Sequence, residues 1–351
     1  MKAYSWVAPA KAGQVIKLAL FSDVHFDSPD CDRETLKKHL DYCLKDGRYI
    51  LINGDFFDMI ILGDRKRATP HHITNTDNQL NVKLNEAYEF LKPYQNNILF
   101  FGRGNHEESI MKYNGLDVLE MLTTKLNMGS EHKILYGNYT NFLRFTFKEK
   151  NRNEYNYDIY AHHGCGGSAP ATKGMLDFGA LAKGINADLI WLAHKHKSLV
   201  DYSAPVMHID RNGDVILKNR QCVETPSYQK GRTIDYNANF AERFYNHTAL
   251  SGFGEVNLRC VGGNKGYQII PEIKITTIPQ IIIGRAQTAM LKQKARYKSP
   301  NGLFIFQRRN RYLELSRTNR LVQHRYKVFA QTVRLHLRSK KNKNNVVLLL
   351  I

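Results

Sequence analysis

Short apolar runs alternate along the chain with polar breaks. Val15 to Phe21, Arg48 to Ile52, Ile98 to Phe101, Tyr157 to Ala161 and Asp188 to Ala193 are each rich in aliphatic or aromatic residues. Runs of this length that stop at Gly, Asn or Asp read as buried strands. Between the first two lies Arg33 to Asp46, where Leu36, Leu40, Cys43 and Leu44 mark one face of a helix. Asn78 to Lys92 repeats the pattern with Leu80, Leu84, Ala87 and Leu91, and Pro93 stops it. Strand, helix, strand, helix predicts an α/β sheet with helices packed on it. Further alternating segments between Val200 and Thr277 are expected to complete a second layer of mostly antiparallel strands.

A polar motif follows each apolar run. In order they are Asp23-Val24-His25, Gly54-Asp55-Phe56-Phe57-Asp58, Gly104-Asn105-His106-Glu107, His162-His163 and His194-Lys195-His196. The C-terminal ends of strands form the ligand crevice of an α/β sheet, so this placement gathers the motifs at one site. Asp23 and His25 are two apart on an extended segment and point to the same side. Asp55 follows a glycine that permits a close turn, and its two oxygens can bridge two cations. Asn105 offers a neutral amide oxygen, and His194 and His196 can each serve a different ion. Mixed nitrogen and oxygen donors suit Mn, Fe, Zn or Ni rather than calcium. Taken singly, each histidine reads as an ordinary one; the ordered set is what points to a metal centre.

Composition refines this picture. The 351 residues are 42% hydrophobic, enough for a packed interior. No apolar run reaches the length of a membrane-spanning helix, and the first residues lack a secretory pattern. The five cysteines are odd in number with no Cys-x-x-Cys spacing, so neither a disulfide framework nor a zinc finger is expected. A reducing, cytoplasmic setting is the expectation. The net charge of +19 is uneven: residues 281–351 hold 17 Lys and Arg against the single acid Glu314, and residues 1–280 carry only +3. This divides the chain into a domain over 1–280 and a basic extension over 281–351. Basic residues mixed with aromatics, as in Arg308-Arg309-Asn310-Arg311-Tyr312, can neutralise phosphates and stack on bases, so nucleic acid is a candidate partner.

The ordered motifs resemble those of the calcineurin-like metallophosphoesterase superfamily: Asp-x-His, Gly-Asp-x-x-Asp, Gly-Asn-His-Asp/Glu, a lone His and Gly-His-x-His. The resemblance covers residues 15 to 200, with the later strands included to about 280, and leaves the basic extension out. It implies a four-layer α/β/β/α sandwich and a dinuclear centre of divalent ions, manganese first, with Fe, Zn or Ni as alternatives. One ion would be held by Asp23, His25, Asp55 and His196. The other would take Asp55, Asn105, His194 and one histidine of the 162–163 pair, His162 being preferred because it ends the strand. Ala193 departs from the family glycine before His-x-His.

The resemblance further implies a hydrolase in which a hydroxide bridging the two ions attacks phosphorus in line. His106 resembles the histidine that protonates the leaving group, with Asp58 orienting it. Arg103 reads either as a phosphate ligand or as a surface salt bridge. The loop Gly164-Cys165-Gly166-Gly167 is a candidate for substrate contact through Gly164 and Gly166. The polar segment Gly63 to Asn78 reads either as a substrate-side loop or as a solvated insertion. Met59 stands where protein serine/threonine phosphatases have an arginine, which argues against protein substrates. Phosphodiesterase or nuclease activity is the favoured expectation. The alternatives are a phosphomonoesterase or protein phosphatase, and a nucleic-acid-binding protein with a structural metal site.

Overall fold

The computed structural model describes residues 2–60, 78–150, 153–166, 175–202, 205–209, 213–230, 250–263 and 266–277. The chain divides into two units, Met1–Ile282 and Ile283–Ile351, and every described residue belongs to the first. The basic extension and the polar segment 63–77 lie outside the described residues.

In chain order the elements begin β1 (Lys2–Pro9), β2 (Val15–Phe21), α1 (Arg33–Asp46), β3 (Tyr49–Asn53), α2 (Gln79–Leu91) and β4 (Ile98–Gly102). Then come α3 (Asn105–Asn114), α4 (Val118–Asn127), β5 (Leu135–Tyr136), β6 (Thr140–Lys148), β7 (Glu154–His162), α5 (Met175–Gly184) and β8 (Leu189–Leu192). Last are β9 (Leu199–Asp201), β10 (Val206–Ile209), β11 (Val215–Lys218), β12 (Gln221–Glu224), β13 (Gly252–Gly263) and β14 (Gly266–Thr277). The expected bounds of β2 and α1 match, and the other expected elements shift only at their ends.

Two six-stranded sheets face each other. Sheet I runs β1-β6-β7-β8-β12-β9 and sheet II runs β14-β13-β2-β3-β4-β5. Strands 2, 3 and 4 are parallel in sheet II, as are 7, 8 and 12 in sheet I. The described strands between Val200 and Thr277 join the two large sheets or pair as β10–β11, and they pair mostly antiparallel, as expected. β13 and β14 extend sheet II antiparallel, whereas β12 enters sheet I parallel to β8.

Period-2 side chains sort these strands into three apolar layers. Leu18, Leu20, Leu51, Phe100, Ile159 and Trp191 pack between the sheets. Ala19, Phe21, Ile50, Ile52 and Phe101 face the other way, onto Leu36 and Leu40 of α1, Leu84 of α2 and Leu122 of α4. Ile190 and Leu192 of β8 meet Phe178 of α5. The result is the expected α/β/β/α order. Strands buried on both faces read as continuous apolar runs, which is why these were visible in the sequence.

Local chemistry fixes the helix ends. Asp32 caps α1 by accepting the Thr35 N–H at 3.2 Å, and Gly47 closes it in a left-handed conformation. Buried Arg220 donates to the carbonyls of Ala182 and Ala187, which anchors the end of α5. No described helix is long and apolar enough to cross a membrane. All five cysteines are free, and only Cys165 is exposed.

Candidate metal centre

β2 ends at Phe21 and the chain does not stay extended. Asp23 and His25 both take left-handed backbone, at φ 48° and 47°. They reach the same place by that route, not by the strand alternation their spacing suggests. The device recurs at Asp55 (φ 47°), His194 (φ 72°) and His196 (φ 53°). Each such residue costs of order 1–3 kcal/mol and persists only where its surroundings enforce it. Here the exits of β2 and β3 are zipped together. The N–H groups of Asp23, His25 and Phe26 donate to the carbonyls of Gly54, Asp55 and Phe56 at 3.1, 3.0 and 2.8 Å. Gly54 is obligatory at this crossing: at φ 80°, a Cβ would run into the His163 ring and the Gly104 backbone.

The strand exits from both sheets converge. Asp23, His25 and His196 present ligand atoms within 4.8 Å of one another, as do Asp55, His163 and His194. His25, Asp55 and His106 form a third such group. His163 Nε2 lies 3.2 Å from Asn105 Oδ1 and 3.1 Å from Asp55 Oδ2. His25 Nε2 and His196 Nε2 face each other at 3.4 Å.

His163, not the preferred His162, joins this cluster. His163 is fully buried, and its Nδ1 donates to the Asn53 carbonyl at 2.9 Å. A carbonyl only accepts, so Nδ1 carries the proton and the Nε2 lone pair is aimed at the oxygens of Asn105 and Asp55. His162 ends β7, where side chains alternate between faces, and points away. Its Nδ1 accepts the Gly164 N–H at 2.8 Å, and its ring packs against Tyr139 and Tyr160. It therefore braces the turn that follows.

These geometries fit a pair of cations. The His163 lone pair faces oxygens only, and the His25 Nδ1–H is turned to the Asp58 carboxylate at 3.2 Å, which leaves its Nε2 lone pair facing His196. Among the described residues, no side-chain donor stands between the His163 lone pair and the oxygens of Asn105 and Asp55. In the metal-free protein a proton must fill that role. Burial opposes it, yet the Asp55 carboxylate outweighs burial and pushes His163 up to about 10. Burial likewise raises Asp55, but the charges of His163 and then His106 hold it well below the usual carboxylate range. Burial opposes ionisation of Asp23 too, and His196 holds it low. Divalent ions replacing the proton would satisfy the same donors.

Several supporting residues carried no role in the sequence reading. Glu107 is buried and accepts the N–H groups of Gly104, Asp55 and Phe57 at 2.9, 3.0 and 2.9 Å. Its position three residues after Gly104, at the start of α3, is the Glu half of a capping box, which glycine cannot complete, and that partial signal was available. Buried Asp27 accepts the N–H groups of Asp58 and Met59 and pairs with Lys83 at 2.6 Å. Ser227 and Tyr228, after β12, hold the Asp23 carbonyl at 2.8 and 3.0 Å. Nothing in their local sequence marks Asp27, Ser227 or Tyr228.

The remaining expected residues divide. Asp58 Oδ1 lies 3.2 Å from both His25 Nδ1 and His106 Nδ1, which suits an orienting role. Arg103 is tied by salt bridge to Asp117 at 2.7 Å and by its Nε to the Tyr136 hydroxyl at 2.8 Å. Its guanidinium is therefore committed, as in the salt-bridge reading. Gly164 (φ 106°) passes so close to Ala193 and His194 that a Cβ would meet the Ala193 carbonyl at 2.7 Å. Gly166 faces open space, and Gly167 lies outside the described residues. Ala193 is accommodated, and the backbone turns at His194 instead.

No curated protein sequence matches the chain. Among solved structures, Vps29 from Entamoeba histolytica, complexed with zinc, is 11% identical with a TM-score of 0.31, over 74% of this chain and 99% of that one. GAP50 of Plasmodium, the anchor in the inner membrane complex, is 12% identical with a TM-score of 0.39, over 80% of this chain and 94% of that one. The family model for the calcineurin-like phosphoesterase matches residues 16–198, the stretch from the start of β2 to just past His196. Since that match spans more than half the chain, the protein belongs to the calcineurin-like phosphoesterase family, whose members are metal-dependent phosphoester hydrolases.

Proposed function

We propose that this member hydrolyses phosphodiesters, with nucleic acids as the first substrates to try and manganese as the first metal. The commitment of Arg103 to Asp117 and Tyr136 carries the diester reading. A phosphomonoester presents a dianionic end that calls for a dedicated cation, and the motif's own arginine is occupied elsewhere. A diester carries one charge and needs less. Met59 supports the same choice, being 1% exposed and packed into the helix-side core, so it offers no phosphate contact. The +16 carried by residues 281–351 favours a polyanionic substrate. The free cysteines favour a reducing, cytoplasmic setting.

Asp23, His25, Asp55 and His196 would hold one ion, and Asp55, Asn105, His163 and His194 the other. When bound, the ions supply Lewis-acid stabilisation of the charge on phosphorus and an activated water. His106 is placed to handle the leaving-group proton. Its Nδ1–H is fixed on the Asp58 carbonyl at 2.7 Å, which leaves Nε2 as the atom that takes up or releases a proton. Asp58 keeps the rings of His25 and His106 in register. A purely structural metal site has no use for that second, proton-carrying nitrogen.

The test is metal-stripped protein refilled with manganese and assayed on bis-p-nitrophenyl phosphate and p-nitrophenyl phosphate, with Asp55→Asn as control. Preferential diester turnover abolished in the control is the expected result. Monoester preference would refute the diester reading.

A further inference from the structure

The aim of the His106 ring depends on Asp58. Its Nδ1 donates to the Asp58 carbonyl at 2.7 Å and lies 3.2 Å from Asp58 Oδ1. The turn that carries this carbonyl is strained. Met59, the next residue, is left-handed at φ 44°, a conformation that a residue with a branched or long side chain keeps only where its surroundings impose it.

Asp27 imposes it. Its Oδ1 accepts the Asp58 N–H at 2.6 Å, and its Oδ2 accepts the Met59 N–H at 3.0 Å. Successive N–H groups at such a turn form a concavity for an anion, and here a side chain of the same chain fills it. Lys83 of α2 completes the arrangement, with its Nζ 2.6 Å from Asp27 Oδ2. The Asp27 side chain is 1% exposed and that of Lys83 12%, so solvent screens little of this attraction. The Met59 N–H and the Asp58 carbonyl are opposite edges of one planar peptide, so fixing the first also fixes the second. A path of hydrogen bonds no longer than 3.0 Å thus runs from the Lys83 ammonium through Asp27 and that peptide to His106 Nδ1.

We infer that Asp27 and Lys83 are positioning residues: their buried ion pair locks the Asp58–Met59 peptide, whose carbonyl holds the His106 ring so that Nε2 meets the leaving oxygen. The inference rests on the reading of His106 as the proton carrier. In that step the bond from phosphorus to the leaving oxygen breaks, the oxygen takes the Nε2 proton, and the neutral ring recovers a proton from water. Without the clamp the peptide can turn, and the ring then swings about its Cα–Cβ bond.

The first measurement needs no turnover. Long-range 1H–15N NMR of the metal-free full chain, labelled at histidine and kept at mildly alkaline pH, reads which ring nitrogen carries the proton. The His106 signals are identified by their loss in His106→Asn. His106 should hold its proton on Nδ1 in the wild type and in Lys83→Arg, but share it between both nitrogens in Asp27→Asn and Lys83→Met. His163, bonded to the Asn53 carbonyl, should not change. Asp27→Asn keeps the side-chain volume, so it tests the charge even where Lys83→Met does not fold.

The second measurement compares methyl phenyl phosphate with methyl p-nitrophenyl phosphate at saturating Mn2+. Phenolate is the more basic leaving group and gains more from a proton. Asp27→Asn should lower kcat about 10–100-fold on the phenyl ester and no more than about threefold on the nitrophenyl ester, with KM steady. Adding His106→Asn should cost Asp27→Asn no more than His106→Asn costs alone, because Asp27 acts through His106. An unchanged His106 ring, a change at His163 as well, or equal losses on the two esters would overturn the inference. A His106→Asn variant equally impaired on both esters would instead refute the proton-carrier reading.

Discussion

The exits of β2, β3 and β4 carry the same kind of side chains as the exits of β7 and β8, yet the two groups are built differently. On the β2–β4 side, buried carboxylates organise the backbone: Glu107 gathers three N–H groups, and Asp27 gathers two more together with Lys83. On the β7–β8 side the support is borrowed from the opposite sheet. His163 is oriented by the carbonyl of Asn53, and His194 by the carboxylate of Asp23. The β2–β4 half is organised largely within its own loops, with Ser227 and Tyr228 after β12 adding a hold on the Asp23 carbonyl, and the other half depends on it. Damage on the β2–β4 side should therefore cost both stability and metal binding, while damage on the β7–β8 side should cost binding alone.

Asp55 belongs to two of the three ligand groups, so Asp55→Asn is the most severe test of the joint between the halves. Metal affinity and turnover should fall by more than about a hundredfold, beyond what residues merely orienting a ligand give. Glu107→Gln comes next. Gln keeps one acceptor oxygen but turns an NH2 group towards at least one of the three buried N–H groups, so urea unfolding of the metal-free protein should show a loss of about 2–3 kcal/mol, together with weaker Mn2+ binding. A Glu107→Gln protein as stable as the parent would break the claim that this side organises itself.

The two neighbouring histidines sharpen the contrast on the other side. His163→Asn should weaken Mn2+ binding beyond about a hundredfold, whereas His162→Asn should stay within about tenfold, since His162 only braces the Gly164 turn. Equal losses in a calorimetric titration would undo the assignment.

A pH effect belongs to the better-braced half. His39 is buried with its Nδ1 2.7 Å from the Tyr228 hydroxyl, and burial pushes it down to about 4. Between that value and the ordinary 6.5, the unfolded chain binds more protons than the folded one. Its contribution is thus complete above pH 6.5 and declines as pH falls through the window, by up to about 3 kcal/mol. Urea midpoints at pH 7 and pH 5 should differ accordingly, and His39→Gln should narrow the difference.

Arg103→Met is the mildest expected change. It removes a partly exposed salt bridge, so stability should fall by about 1 kcal/mol and KM for a diester should stay put. A marked rise in KM would return Arg103 to substrate binding.

The sandwich strands were legible because both of their faces are buried, which leaves uninterrupted apolar runs such as Val15–Phe21 and Leu189–Leu192. β1 and β6 went unread. Their polar and apolar positions mix, with Arg144 of β6 paired to Asp158 and Val7 of β1 exposed, so no clean period shows. The helices α3 and α5 follow motif residues closely and carry short, weak apolar stripes. β12 was hidden for another reason: four residues cannot announce which sheet they join.

What the sequence determined by itself is the inventory of the centre. The donors are charged or polar residues placed after apolar strands, and that order survives any detail of packing. The choice between His162 and His163 belonged to tertiary structure, because adjacent residues at a strand end point to opposite faces and only the packing says which face is the site. The commitment of Arg103 was likewise settled by Asp117 and Tyr136, distant by 14 and 33 positions. Chemistry is written residue by residue, whereas burial and partnership exist only once the two sheets have closed on each other.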